Sequence, residues 1–295
     1  MLRRLESACE LEQALNETRD LPELRQIHCS IQTMLLNRFP YPDGSILDLK
    51  LPLSFYFISR NFIIICHDNN AVFDEQSVNI VFLGILAQFP NFYFRGTDVW
   101  YHGSASFYDS YYVPWLNEQF PGSEIERHPC VQYYINQEDT KRIQDEKIVL
   151  AEGYFFDGIH SQQDVDFIRN SWKYCSPGEG KQFGAKLNYM PYSIIRKEGE
   201  PNPVAFELMD PSGFLNHHYT QLEHRRKGLG AAVELELAQN CLRLGIHPFK
   251  LVEAWNNSVL ETSNRSRYWS RLEYDDGEVV PMYFAVHFMK KYLTS

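Results

Sequence analysis

The run His224-Arg225-Arg226-Lys227-Gly228-Leu229-Gly230 constrains this chain more than any other stretch: two glycines one residue apart, behind three cations, read as a tight turn that opens a helix. Before it, Phe214 to Thr220 is rich in aromatic and β-favouring residues, the pattern of a strand. After it, Ala231, Leu235, Ala238 and Leu242 form an apolar stripe, widened by Val233, Leu237, Cys241 and Leu244. A strand, a glycine turn and an amphipathic helix follow one another. Such a junction exposes unpaired N–H groups at the positive end of the helix dipole and is a ready site for a phosphate or pyrophosphate. Gly228 and Gly230 let the backbone approach the anion, and Arg225, Arg226 and Lys227 add positive charge.

Two other glycine loops fit less well. A nucleotide P-loop needs Lys-Ser/Thr after its last glycine, where Ala231-Ala232 stand here. A dinucleotide fingerprint needs a third glycine at the position of Val233, although Glu253 lies near the distance of a ribose-binding acid.

The remaining sequence reads as alternating α and β elements. Leu2 to Leu15 has helical spacing, and Asp20 with Pro22 and Glu23 marks a second helix start. Ser54–Ser59 and Phe62–His67 form a hairpin pair, Asp74–Phe89 a helix, Phe92–Arg95 a short strand, Ser106–Phe120 a helix with Pro114 in it, and Val131–Ile135 a strand. The charged stretch Gln137–Lys147 lacks an apolar stripe and sets the domain boundary, giving an N-terminal α/β domain over 1–144 and a second domain over 145–295. The second domain opens with a strand at Ile148–Phe156, a helix from Ser161 and a short helix at Phe183–Tyr189. A strand pair, Tyr192–Lys197 and Val204–Met209, precedes the central strand, loop and helix, which Gly245 ends. Strands at Phe249–Ala254 and Val279–Phe288 flank a helix over Asn256–Asn264.

The 295 residues carry a formal net charge of −10, which disfavours general binding to nucleic acid or to anionic membranes. Six cysteines lie far apart with no C-x-x-C pair, so neither a zinc site nor a disulfide framework is expected. The first residues read neither as a signal peptide nor as a good transit peptide, and the longest apolar run, Val78 to Ala87, is too short to span a bilayer. The expected compartment is the cytosol or the mitochondrial matrix, without secretion. Nothing in the sequence sets the oligomeric state.

Met209-Asp210-Pro211-Ser212-Gly213, then Thr220 to Gly230, then Val252 to Ser258 resemble the acyl-CoA-binding core of the GNAT superfamily, most closely the glycine N-acyltransferase family, over about Tyr154 to Trp269. The resemblance implies a mixed, mostly antiparallel sheet with helices on both faces, opening into a V at the central strand; the N-terminal half would be a degenerate copy. It also implies acyl-CoA as co-substrate, no metal, and a small-molecule amine acceptor such as glycine. The diphosphate would lie on the N–H groups from Arg226 through Ala231, including Gly228, Leu229 and Gly230, with Arg225 and Lys227 beside it, and the pantetheine arm on the backbone of Thr220 and Leu222, with Asn256 touching it. The family's proposed base aligns with Phe214, which takes no proton, and Ser263 stands where many GNAT enzymes have a thiolate-protonating tyrosine, with Tyr268 off register. His218, sharing parity with position 214, is the expected base; His217, Glu207 and Glu253 are alternatives, as is a water chain. A non-catalytic acyl-CoA-binding protein of the same fold is the rival expectation.

Overall fold

The computed structural model describes residues 2–41, 43–50, 53–59, 62–90, 92, 98–172 and 180–288. The first half runs β1 (Arg3–Leu5), α1 (Ala8–Thr18), α2 (Arg25–Leu35), β2 (Ser45–Lys50), β3 (Leu53–Ser59), β4 (Phe62–His67), α3 (Glu75–Gln88), β5 (Val99–Ser104), α4 (Ala105–Phe107), α5 (Val113–Gln119) and β6 (Glu124–Tyr134). After α6 (Thr140–Asp145) the second half runs β7 (Tyr154–Asp157), α7 (Gln162–Asn170), α8 (Gly180–Tyr189), β8 (Tyr192–Lys197), β9 (Ala205–Met209) and β10 (Phe214–Thr220). It ends with α9 (Leu229–Arg243), β11 (Phe249–Glu253), α10 (Asn257–Arg265), β12 (Ser270–Arg271) and β13 (Met282–Phe288).

The two halves repeat one plan: an edge strand, two helices, a three-strand meander, a helix, a strand parallel to the last of the meander, a helical segment and a closing strand. The parallel pairs are β4–β5 and β10–β11; all other ladders among the described residues are antiparallel. Thirteen strands form one sheet in the order β1-β2-β3-β4-β5-β13-β6-β11-β10-β9-β8-β7, with β12 on β6. The closing strands are exchanged: β13 lies against β5 of the first half, and β6 against β11 of the second. The chain division at 144/145 is therefore not a division of the sheet. Nor is the charged stretch loose, because Ile143 is fully buried and Gln239 of α9 donates to the carbonyls of Ile143 and Glu146 at 2.8 Å each.

Several boundaries differ from the sequence reading for identifiable reasons. The run from Leu2 is not one helix: Arg3–Leu5 pairs with β2, and Ser7 and Glu10 form a capping box that starts α1 afresh. Asp20 caps nothing; Pro22–Leu24 form a 3₁₀ turn and α2 begins at Arg25. The helix expected over Ser106–Phe120 is interrupted by a π-helical stretch, Tyr108–Tyr112, with Pro114 in the first turn of α5. The short strand expected at Phe92–Arg95 falls almost wholly outside the described residues; β5 follows it. Of the expected strand Ile148–Phe156 only Tyr154 onward pairs.

Helices cover both faces. α3 and the α4–α5 segment pack on the face of Tyr56, Ile63, Ile65 and Tyr101, while α1 and α2 pack on that of Phe55, Ile64 and Cys66. In the second half α9 covers Ala205 and Ile195, and α7 and α8 cover Phe206 and Leu208. The buried side of α9 is Leu229, Ala232, Val233, Leu237, Ala238, Cys241 and Leu242; of the expected stripe Ala238 and Leu242 are buried, Leu235 is half-buried and Ala231 is exposed. Among the described residues, no helix is long and apolar enough to cross a membrane.

Candidate active site

β10 and β11 are paired only at Phe214–Phe249 and Leu215–Lys250, and then separate. The cause lies in β10, whose register against β9 shifts between Asn216 and Tyr219, so that His217 and His218 together oppose Glu207. His217 takes φ 56°, the left-handed backbone of a β-bulge, and its extra residue bends the strand and leaves the ladder. The sheet opens here into a V.

The bulge also decides which side chains face where. Leu215 pairs with Met209 and Lys250 and shares their face; Asn216 pairs with Leu208 on the other. The inserted residue returns His218 to the face of Leu215, under α9, with Thr220 after it. Positions 214 and 218 consequently lie on opposite faces, and the parity argument for His218 fails. His218 is placed over Glu207 by the bulge instead.

The loop after β10 has the geometry its glycines predict. Arg226 (φ 60°) and Gly228 (φ 78°) are both left-handed, a backbone that turns successive N–H groups toward one concavity. Gly228 is the N-cap of α9 and supplies no side-chain cap; the first intrahelical bond runs from Ala232 N–H to Gly228 O at 3.0 Å. The N–H groups of Leu229, Gly230 and Ala231 thus have no intrahelical acceptor. Arg225, Arg226, Gly228, Leu229, Gly230 and Ala231 all line the cavity. Lys227 turns away, donating to the Tyr154 hydroxyl at 2.8 Å, and the Leu222 side chain is 69% exposed outside it. The loop is braced from behind by buried His224, which bonds Tyr154 at 2.9 Å and Glu200 at 3.0 Å.

Beneath the loop lies a charged cluster. His218 Nδ1 is 3.4 Å from Glu207 Oε1, and the other carboxylate oxygen of Glu207 is buried without a partner. Glu234 of α9 accepts from Lys250 and from the Trp269 indole, both at 2.7 Å, and Lys250 sits 4.6 Å over the Trp269 ring. Burial pulls the His218 imidazole down, but the Glu207 carboxylate outweighs it and holds the ring above its ordinary value. Burial pushes the Glu207 carboxyl up against the pull of His218. Burial would also raise Glu234, yet the Lys250 ammonium and His218 hold it low. Glu207, His218 and Glu234 stand close enough to share a metal ion, their ligand atoms within 4.8 Å of one another, but Lys250 already supplies positive charge to Glu234. The sequence shows no sign of Glu234 and Lys250 beyond one charge on a helix face and a lysine among Phe249, Leu251 and Val252 of a strand.

His217 occupies a different environment. Its ring packs against Trp172, Phe183 and Phe206, its Nε2 meets Ser171 Oγ at 3.0 Å, and burial with nearby Lys186 lowers its pKa to about 3. A ring so averse to a proton is a poor base. Asn256 sits at the N-cap position of α10 but makes no side-chain cap, and it lines the cavity. Phe214, Glu253 and Ser263 line it too; the Ser263 hydroxyl is buried without a partner. Tyr268 does not line it and instead accepts from Arg267. The cavity measures about 1840 Å³ and extends from the glycine loop through the V to β4, β5 and β13 of the exchanged halves.

Solved structures share this architecture. A Drosophila protein solved by a structural genomics consortium superposes with TM-score 0.72 at 11% identity, covering 98% of this chain and 99% of that one. A GCN5-related N-acetyltransferase from Kribbella flavida gives 0.50 at 13%, covering 90% and 95%. One from Sphaerobacter thermophilus gives 0.50 at 10%, covering 97% and 94%. The fold is that of the GCN5-related N-acetyltransferases. No family profile matches the chain, and no curated protein matches it.

Proposed function

We propose that the protein is an acyl-CoA-dependent N-acyltransferase acting on the amine of a small acceptor by direct attack on the thioester. The observation that carries this is the uncapped start of α9 at Gly228–Ala231, opening onto a V in which buried Glu207 faces His218. In this reading the CoA diphosphate lies on the Arg226–Ala231 N–H groups with Arg225 beside it, and the pantetheine arm runs past Thr220 and Asn256. Lys227, held by Tyr154, contributes its field rather than a contact.

The acceptor reaches the site as an ammonium and must lose a proton before its nitrogen can attack. His218, held by Glu207, takes that proton. The C–N bond then forms as the C–S bond breaks, while backbone N–H groups freed at the bulge polarise the carbonyl. The acylated nitrogen sheds its second proton to solvent, and the CoA thiolate leaves and takes one from solvent. The Ser263 hydroxyl offers the departing sulfur a hydrogen bond but is too weak an acid to protonate it. Among the described residues the cysteine that lines the cavity is Cys130, opposite Glu253, and burial pushes its thiol up to about 12, which favours direct transfer over an acyl-enzyme. Phe214 and Ser263, in place of the family's base and acid, favour a second reading, an acyl-CoA-binding protein without catalysis.

Thermal shift with CoA, followed by thiol release from acetyl-CoA and benzoyl-CoA with and without amines, separates the two. Amine-dependent thiol release, lost in His218→Ala with CoA binding kept, supports the transferase. CoA binding without release for any amine supports the second reading, and no CoA shift at all removes both.

A further inference from the structure

Two carboxylates stand at the bulge, and they are served unequally. Glu234 of α9 has both oxygens filled, by the Lys250 ammonium and the Trp269 indole at 2.7 Å each. Glu207 of β9 is 2% exposed, yet one of its oxygens has no hydrogen-bond partner and the other lies 3.4 Å from His218 Nδ1. A charge-assisted bond would measure about 2.7–2.9 Å. A buried carboxylate short of donors is destabilising, and Glu207 lines the cavity, so a ligand in the V can bring the missing donor.

The charges point the same way. Among the described residues the ionisable groups that act most strongly on Glu207 are His218 of β10, Glu234 of α9 and Lys250 of β11. Cys241 of α9 also lies in its field and is neutral, because burial holds that thiol well above its ordinary value. Lys250 balances Glu234, which leaves Glu207 to be balanced by one proton shared with His218. Burial raises the Glu207 carboxyl, and against burial the carboxylate raises the His218 imidazole, so both ends of the pair hold that proton.

Resting on the transferase reading, we infer that the Glu207 carboxylate is the seat of the acceptor's ammonium, which enters beside His218 and displaces the proton that the pair had shared. That proton leaves to solvent, so the charge of the site is conserved. His218, now neutral, stands next to the ammonium it must deprotonate. Charge then selects the acceptor. An aliphatic amine, protonated near neutral pH, fits the seat, whereas an arylamine or an alcohol brings no cation and leaves Glu207 unbalanced.

The test is calorimetric binding to the full chain, with and without saturating CoA, which carries no acyl group and allows no turnover. The probes are benzylamine and butylamine against benzyl alcohol and butanol, at about pH 6.5, near the ordinary pKa of histidine, in buffers of different ionisation enthalpy. Each amine should bind about tenfold or more tighter than its alcohol, the scale of one charge-assisted hydrogen bond, and release about one proton. Glu207→Gln, close in shape, should erase the preference and the proton release while CoA still raises its melting temperature. If that variant does not fold, the parent's preference and proton count decide. An amine bound no better than its alcohol, bound without proton release, bound equally by Glu207→Gln, or not bound at all overturns the inference. A Glu207 that only held His218 would give the third of these, with kcat lowered and amine affinity spared. Thiol release is scored separately: amine-dependent release beside any of those outcomes leaves the transferase standing without this seat, and its absence beside the expected binding removes the transferase and keeps the seat.

Discussion

Replacing Gly230 by alanine should separate folding from chemistry at the proposed site. Gly230 lies in the first turn of α9, where alanine is a better helix former by roughly 0.5–1 kcal/mol in a helix interior and by less near an end. The new Cβ, however, would stand 2.8 Å from His218 Nε2, where ordinary contact begins at 3.4 Å. The imidazole must therefore retreat by about 0.6 Å, and it has room because its side chain is 39% exposed to the cavity. That movement stretches a His218–Glu207 contact already at 3.4 Å and misplaces the base. We expect a melting temperature unchanged or raised by about 1–2 °C, the scale of a few tenths of a kcal/mol in a chain this size. We expect kcat for thiol release to fall by about 100-fold, the lower end of what a positioned base contributes. Gly228→Ala is the contrasting control: at φ 78° with nothing within 4 Å of the new Cβ, it should cost about 1 kcal/mol from backbone strain and leave His218 in place. Differential scanning calorimetry and single-turnover thiol release read both effects. A Gly230→Ala protein that turns over like the parent would refute the role of His218; one that merely melts early would refute the packing argument.

Four further outcomes follow from the same geometry. If neutral His218 is the base, kcat/KM rises with pH through an apparent pKa above the ordinary 6.5 of histidine, and Glu207→Gln shifts that midpoint downward because the carboxylate is what raises it. The stability gained from protonated His218 on Glu207 is present below the unfolded pKa and fades as pH rises through the folded one, which urea midpoints measured across that interval would show. Removing residues after Pro281 takes β13 from between β5 and β6, so the first half should lose cooperative unfolding although its own segment is intact; an unchanged melt of the truncated chain contradicts the exchange. Calorimetric titration with CoA should give one site per chain, and two sites would show that the first repeat still binds.

What the sequence discloses depends on whether the information is local. The strand, glycine turn and α9 were legible because backbone freedom at Gly228, an uncapped helix start and a 3.6-residue stripe all lie within thirty residues. The hairpin of β3 and β4 was legible for the same reason. The exchange of β6 and β13 was not, since a strand's partner leaves no trace in its own composition and these two pair across more than 150 residues. The bulge was equally silent: a histidine at φ 56° has no signature, yet it inverts every facing assignment beyond Asn216. Glu234 and Lys250 were hidden because each looks like a surface charge until β11 is laid beside β10 and their 2.7 Å contact forms under the helix.

The repeat itself argues for how such a site is kept or lost. Both halves present a helix start after the last strand of a meander, α3 after β4 and α9 after β10, so the dipole is available twice. At α3 the N-cap is Asp74, whose carboxylate accepts from Ser77 N–H at 2.9 Å, with Glu75 next and Asp68 earlier in the turn. The chain has placed its own anion on that helix, and a second one would meet like charge. At α9 the cap is Gly228, the flanking charges are positive, and the exposed N–H groups keep no internal partner. A capping aspartate is worth about 1 kcal/mol to the first helix. Forgoing such a cap costs the second helix a similar amount, a cost that a bound diphosphate would offset. The first repeat, relieved of an anion, is then free to turn its open face of aromatic rows into a wall of the cavity its twin requires.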